Sequence, residues 1–507
     1  MRAGRAHALT LALALLPVGV DAQEAAPADA PDALASPVPR PLTEPPVSGG
    51  IETGSVSVAP LGPPGASSGV LPSSVTGLPD DLWTGSDASD LAVRIAALPD
   101  AMPGAARALE RVMMLAEADP PGAGDPEALL AARLQRLLGR GHLDAAAALA
   151  ARTGGRSPAL RRIAFDIALL LGDETEACAT ADPEAEAPED YARRVFCLVR
   201  SSDFDAAATV LDSARALGSL DPTDEVLLEL FLFPELLEEL TVPVPPRDPT
   251  PLQFRLHEAL GEPMATRDLP VAFARSDLRS VVGRKAQIEA AERLARAGAL
   301  EGTRLLQLYT DARPSASGGV WDRAAALRDL DAALDARNRE AVALALPRAV
   351  DALDAADLTA ALSDALYPSV AALRPEGASA QTAALRLGLL SSDYEAAADD
   401  WPQATGLHVA AARALARGEV PPSGGDALDM AVGEAFAEDF PVPDRLSRPA
   451  QEGRLGEALL AALEDLATGA AGDRARLAGA IAFLRSVGLE DTARRVGIEL
   501  LIAREAA

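Results

Sequence analysis

A short turn motif recurs along the chain, and each copy joins two segments with helical patterning. In every copy a small or polar residue precedes an apolar residue and an acid, and alanines follow in most of them. A flexible turn, an apolar side chain beneath it and an acid at the positive end of the next helix favour closely packed antiparallel helices. The motif therefore predicts a chain of helical hairpins. Its copies lie at residues 141–145, 202–206, 298–301, 392–396 and 488–493.

Three helix starts are also evident in the sequence. Asp125, Ser157 and Asp221 each stand directly before a proline, which pairs a capping side chain with the residue best suited to the first helical position. After Ser157 the apolar residues recur at helical spacing, so one face of that helix needs a packed neighbour. The residues on this face are Leu160, Ile163, Ala164, Ile167, Ala168 and Leu171.

Composition supports an all-α fold and excludes two classes of partner. Hydrophobic residues make up 49% of the chain but aromatic residues only 3%, which suits closely packed helices better than a sandwich or barrel. The 46 basic and 75 acidic residues give a formal net charge of -29. Such a surface repels phosphate backbones and anionic lipids, so we expect neither a nucleic-acid partner nor binding to an anionic membrane.

The first residues resemble a secretory signal. Arg2, Arg5 and His7 form a basic start, residues 8–20 are apolar, and small residues lead to a cleavage site after Ala22. The apolar run of ~13 residues is shorter than the ~20 that a membrane-spanning helix needs. We therefore predict a signal peptide over 1–22, a periplasmic protein and no membrane span after cleavage. Retention of the signal as an anchor stays open.

Two further composition changes divide the chain. Residues 23–80 are rich in proline, glycine, serine and alanine, which predicts a disordered tail because such a segment buries little apolar surface. The proline-rich residues 243–249 interrupt the helical pattern. They predict an N-terminal helical lobe over 81–242 and a C-terminal helical lobe over 250–507.

The spacing of the turns resembles that of tetratricopeptide and related α-solenoid repeats, whose unit is a helix-turn-helix of ~34 residues. The resemblance is carried by residues 125–218, although the family's Trp, Gly-Tyr and closing Pro at fixed offsets are absent. It implies hairpins stacked into a curved α-solenoid of two lobes. It also implies a concave face that binds peptides or proteins.

Cys178 and Cys197 are the only cysteines. An even pair in an exported chain favours a disulfide, and stacked antiparallel helices could bring the two side chains together. Two buried free thiols are the alternative. A redox site is a weaker alternative because the chain has no Cys-x-x-Cys pair.

No metal, cofactor or catalytic site is predicted. The acidic stretch over residues 173–190 lacks the alternating acids and central glycine of a calcium loop. His257-Glu258 begins like a zinc motif but has no second histidine in register, and His142 and His408 lie far from it in sequence. We therefore predict that the chain is not an enzyme.

One strongly apolar stretch is a candidate docking face for a partner. It comprises Val226, Leu227, Leu230, Phe231 and Phe233. A helix buried in the fold is the alternative interpretation.

The function that follows from the sequence is a non-catalytic periplasmic scaffold or adaptor that binds protein or peptide partners. The alternative is a cell-wall enzyme or enzyme subunit, because soluble lytic transglycosylases also carry a large α-superhelical domain. That family adds a lysozyme-like domain with a glutamate acid. Glu464, the acid considered for that role, is expected to be one carboxylate on an amphipathic helix.

Overall fold

The structure, a computed structural model, describes residues 69–153, 157–181, 187–311, 318–402, 404, 408–421 and 425–503. These residues form 24 α-helices and three 3-10 helices, and their only β-type pairing is two isolated bridges. The predicted all-α fold is confirmed. The predicted signal peptide and residues 23–68 of the predicted tail lie outside the described residues.

Six helices begin the main part of the structure, which we call the body. Two of the predicted caps are confirmed here: Asp125 accepts the N–H of Glu127 at 3.0 Å, and Ser157 accepts the N–H of Leu160 at 3.3 Å. The helices are α1 Ser73–Thr76, α2 Ala88–Ala97, α3 Gly104–Leu115, α4 Pro126–Gly139, α5 Leu143–Thr153 and α6 Pro158–Leu171.

Four helices then form a small hairpin pair that we call the arm: α7 Glu174–Thr180, α8 Pro188–Arg200, α9 Phe204–Leu217 and α10 Pro222–Leu232. Asp221 caps α10 by accepting the N–H of Thr223 at 2.8 Å, as predicted. The chain returns from the arm through the 3-10 helix Pro234–Glu238, helix α11 Pro251–Ala259, and the 3-10 helices Thr266–Asp268 and Val271–Leu278.

The remaining thirteen helices complete the body. They are α12 Arg284–Arg296, α13 Gly302–Thr310, α14 Val320–Asp335, α15 Arg339–Asp354, α16 Thr359–Leu373, α17 Ala378–Leu389, α18 Tyr394–Asp400, α19 Val409–Ala416, α20 Ala427–Ala435, α21 Asp444–Gln451, α22 Leu455–Ala470, α23 Arg474–Ser486 and α24 Glu490–Ala503.

Two hydrophobic cores contain most of the buried apolar residues of the described chain, and α6 contributes to both. Ile163 and Ile167 pack in the main core, which draws on residues from Leu78 to Ile502. Phe165 and Leu169 of the same helix pack in the arm core, with residues of α7 to α11. The main core thus uses both sides of the predicted boundary at 243–249. Whether the two predicted lobes fold independently stays a prediction.

Helices from the two ends of the described chain pack against each other. The N–H of Gly456 on α22 donates to the carbonyl oxygen of Leu82 at 3.0 Å, and Arg94 on α2 pairs with Glu457 at 2.8 Å. The ring of Trp83 lies so close to Gly456 that a Cβ there would stand 2.5 Å from Cε3. In an open solenoid each repeat contacts only its sequence neighbours, so these contacts depart from that geometry. The repeat interpretation itself stays a prediction.

The predicted tail extends too far into the chain. Residues 69–80 are packed on the body: the N–H groups of Val70 and Leu71 both donate to the carbonyl oxygen of Leu115, and Leu78 is buried. The stretch has the average composition of a disordered segment, although a few of its apolar side chains are buried or partly buried and hold it on the body.

Candidate functional site

Four of the five predicted turns meet in pairs. In the first pair, Gly141 and Gly298 both have left-handed backbones, with φ of 79° and 74°. A Cβ at Gly141 would lie 3.1 Å from Leu294 Cδ2 and 3.5 Å from Ala299 Cβ, so the two turns pack against each other where only glycine fits.

The second pair joins the turns at 392–396 and 488–493. The hydroxyl of Tyr394 donates to Asp491 Oδ1 at 3.0 Å. Arg495 donates to the carbonyl oxygens of Ser391 and Ser392 at 3.3 and 3.4 Å, and its guanidinium lies 4.8 Å from the ring centre of Tyr394. The fifth turn, at 202–206, lies in the arm.

The first pair of turns borders a cavity of about 540 Å³, which we call the central cavity, and Arg495 beside the second pair also lines it. Helices α3, α13, α16 and α24 supply most of its walls. Many lining residues are small, which lets a ligand's backbone come close to the walls: Gly104, Ala105, Ala108, Ala295, Ala297, Gly298, Gly302, Ala360, Ala361 and Ala365.

One wall is fixed by a carboxylate that caps a distant helix. Glu499 of α24 accepts the N–H groups of Gly104 at 2.5 Å and Ala105 at 3.0 Å. Pro103 precedes α3 and provides no capping side chain, so Glu499 satisfies these two N–H groups in its place. Burial raises the pKa of the Glu499 carboxyl, and the two backbone hydrogen bonds partly oppose that rise.

The cavity contains charges of both signs. Arg107 and Arg111 stand one turn apart on α3, and neither is in an ion pair with a described residue; Arg107 donates to the carbonyl oxygen of Met102 at 2.5 Å. Glu301, Asp357 and Asp364 add carboxylates from the starts of α13 and α16 and from α16 itself. A lining of this kind can hold a ligand that has both hydrogen-bond donors and acceptors.

His142 also faces the central cavity and is 8% exposed. Its pKa is lowered to about 4, chiefly by burial; the charges of Arg111 and Arg140 also lower it, and Glu110 opposes them. At neutral pH the imidazole is therefore uncharged, and it offers one donor and one acceptor.

The structure confirms the disulfide. Cys178 on α7 and Cys197 on α8 are joined, with their Cα atoms 5.4 Å apart. The two alternatives, free thiols and a redox pair, are thereby set aside for this structure.

Three acids of the stretch around the disulfide serve as a helix cap or in ion pairs. Asp173 accepts the N–H of Glu176, Glu174 pairs with Arg200 at 2.6 Å, and Asp190 binds Arg162 through two contacts of 2.8 Å. Residues 182–186 of this stretch lie outside the described residues. Over the described part of the chain, no group of three or more His, Cys, Asp or Glu is arranged to hold a metal ion.

The predicted docking face is mostly interior. Leu227 and Leu230 are completely buried, Val226 and Phe231 are partly buried, and only Phe233 is exposed. The two leucines are thus core residues of α10, as the alternative interpretation expected. Docking through Phe233 stays a prediction.

The other residues considered from sequence lie apart from one another. His257 is fully buried, neither ring nitrogen has a hydrogen-bond partner within the described structure, and burial lowers its pKa. His408 lies 2.9 Å from Asp429, and Glu464 on α22 lies 3.8 Å from Arg476. The structure brings none of these three together with another.

The central cavity and its residues Arg107, Arg111 and Glu499 were not among the sites predicted from sequence. The turn motif was the available signal, because two of its copies, at 141–145 and 298–301, contribute residues to the cavity lining. Which turns pair, however, depends on contacts between residues far apart in the chain.

Within the described ranges, no helix is both long and apolar enough to cross a membrane. No protein-family model matches the chain, and neither the curated proteins nor the solved structures contain a match.

Proposed function

We propose that the chain is a non-catalytic scaffold or adaptor of the periplasm, and that it holds a peptide segment of a partner in the central cavity. The observation that carries this proposal is the cavity beside the paired turns at 141–145 and 298–301. Its volume falls in the range of roughly 300–1,000 Å³ that is usual for ligand sites.

The lining suits a peptide better than a purely apolar ligand. Small side chains along α3 and α16 leave room for a peptide backbone, whereas Arg107 and Arg111 offer donors to its carbonyl groups or to a carboxylate. Glu301 and Asp357 offer acceptors to amide or ammonium groups. The neutral His142 adds a donor or acceptor without adding charge.

The disulfide supports the proposed compartment. Disulfides form and persist in oxidising compartments such as the bacterial periplasm. Together with the predicted signal over 1–22, the bond between Cys178 and Cys197 favours export. Fractionation of cells that express the chain would test this: recovery with the cytoplasmic fraction would contradict it.

Site-specific cross-linking tests the cavity. A photoreactive benzoylphenylalanine replaces Ala108, which lines the cavity, and in a control protein it replaces Ala332, an exposed alanine on α14 outside the cavity. We expect a discrete adduct in periplasmic extract from the Ala108 protein only, with the partner's peptide identified by mass spectrometry. Equal adducts from both proteins, or none from either, would contradict the proposal.

A blocking variant makes the test specific. Ala360→Trp fills the cavity, whereas Ala372→Trp adds the same side chain to an exposed position of α16 that does not line it. The adduct at position 108 should disappear with Ala360→Trp and persist with Ala372→Trp. Circular dichroism of both variants checks that the helices are retained.

The enzyme alternative has its own assay. A zymogram on purified cell wall should show no clearing band for this chain. A band that is lost in Glu464→Gln but kept in Glu434→Gln would replace the scaffold proposal with a cell-wall hydrolysis function.

A further inference from the structure

Four large apolar side chains are exposed at one end of the arm. Phe204 is 53% exposed, Phe233 36%, Leu237 40% and Leu240 43%. Single exposed apolar residues are common on protein surfaces, but a group of them marks an interaction site more often. We call these four residues the arm tip.

Connectivity places the four residues at the same end of the arm. Helices α9 and α10 pack together and are joined by only four residues, 218–221, so they run antiparallel. Phe204 at the start of α9 therefore lies at the end where α10 finishes and Phe233 follows. Leu237 and Leu240 come next, and 3-10 geometry keeps Phe233 and Leu240 within ~14 Å along the segment.

Carboxylates surround this apolar surface. Glu235, Glu238 and Glu239 are exposed and form no ion pair with a described residue, and Asp205 lies beside Phe204. No lysine or arginine occurs between residues 233 and 246. Arg200, at the end of α8, is paired with Glu174. The arm tip thus combines apolar contact area with uncompensated negative charge.

From this pattern we infer that the arm tip docks a protein segment that is apolar on one face and carries lysine or arginine at its edges, such as a basic amphipathic helix. Apolar burial would supply most of the affinity, and the charges would orient the segment and speed association. A second copy of this chain fits less well, because the overall charge of -29 makes its own surface predominantly acidic. The arm tip is a surface separate from the central cavity, and its docking does not depend on the proposed function.

The test uses a defined probe, a fluorescent synthetic amphipathic helix of leucine and lysine, about 18 residues long. Its binding to the full chain is measured by fluorescence anisotropy. Leu237→Ser/Leu240→Ser should weaken binding about tenfold or more, because two apolar contacts are lost. The control Val281→Ser/Leu344→Ser, which alters two exposed apolar residues elsewhere, should bind as the parent does.

Two triple variants that remove the same charge distinguish the effect of the arm-tip carboxylates from that of the protein's overall negative charge. Glu235→Gln/Glu238→Gln/Glu239→Gln should weaken binding and flatten its salt dependence. The control Glu340→Gln/Glu434→Gln/Glu438→Gln removes the same charge from exposed positions elsewhere and should have a smaller effect. Equal losses in the arm-tip and control variants would overturn the inference.

Sedimentation equilibrium tests whether a second copy of this chain occupies the arm tip. We expect the parent chain to remain monomeric at the concentrations of the binding assay. A dimer that is lost in Leu237→Ser/Leu240→Ser would show that a second copy occupies the arm tip, and it would overturn the assignment to a basic partner.

Discussion

The carboxylate of Glu499 caps a helix that begins 395 residues earlier, by accepting the N–H groups of Gly104 and Ala105. Because α3 has no local cap, this contact both satisfies the helix start and joins the two ends of the described body.

The first prediction concerns this cap. Glu499→Ala should lower the free energy of unfolding by about 1–3 kcal/mol, because two partly buried N–H groups lose their acceptor. Glu499→Gln should cost less, since one amide oxygen can still accept. Urea unfolding measures the stability of both variants, with Glu301→Gln in the same cavity as the control. A Glu499→Ala protein as stable as its parent would contradict the capping role of Glu499.

The second prediction concerns acid stability. Folded His142 has a pKa of about 4, below the 6.5 of an unfolded chain, so the unfolded state takes up a proton first as the pH falls. The stability conferred by the neutral imidazole is complete above pH 6.5, and about 3 kcal/mol of it is lost as the pH falls to about 4.

His142→Gln removes this titration. The slope of unfolding free energy against pH should therefore be flatter in the variant between pH 6.5 and 4. The double variant with His257→Gln should be flatter still, because burial lowers the pKa of His257 as well. Parallel curves for parent and variants would be evidence against buried neutral histidines.

The third prediction concerns the disulfide. Unreduced, denatured protein should show no titratable thiol. Cys178→Ser/Cys197→Ser should reduce stability by roughly 3 kcal/mol, because the bond closes a loop in the unfolded chain. Hydrogen exchange should rise in residues 160–215 before it rises in the helices near the C-terminus, and uniform acceleration along the chain would contradict a local role.

The fourth prediction compares two helical glycines. A Cβ at Gly456 would meet the ring of Trp83, so Gly456→Ala should destabilise by about 1–3 kcal/mol and shift tryptophan emission to longer wavelength. A Cβ at Gly139 on α4 would extend into open space, so Gly139→Ala should leave the emission unchanged and raise stability by up to ~1 kcal/mol. Equal effects in the two variants would show that Trp83 is not closely packed there.

Local features of this fold could be predicted from sequence, because their causes lie within a few residues. The caps at Asp125, Ser157 and Asp221 are of this kind, and the disulfide followed from two cysteines in adjacent helices. The contact between Glu499 and Gly104 could not be predicted, since many acids could cap α3 and only tertiary packing selects one. The same applies to the central cavity, whose turns are recognisable singly but not in pairs.

The burial of α10 shows a second limit. An apolar run such as Leu227 to Phe233 has the same pattern whether it docks a partner or fills a core. Only the neighbouring helices of the arm distinguish the two, and they place the exposed apolar residues beyond the end of α10.

The contacts between α2, α3, α22 and α24 have a consequence for how the body comes apart. Linear repeat arrays can fray from either end, one unit at a time, and they need polar terminal units to protect those ends. Here helices near the two ends of the described residues cover each other, so truncating one would expose the other. The main core should consequently melt in a single cooperative step, with only the arm free to open separately.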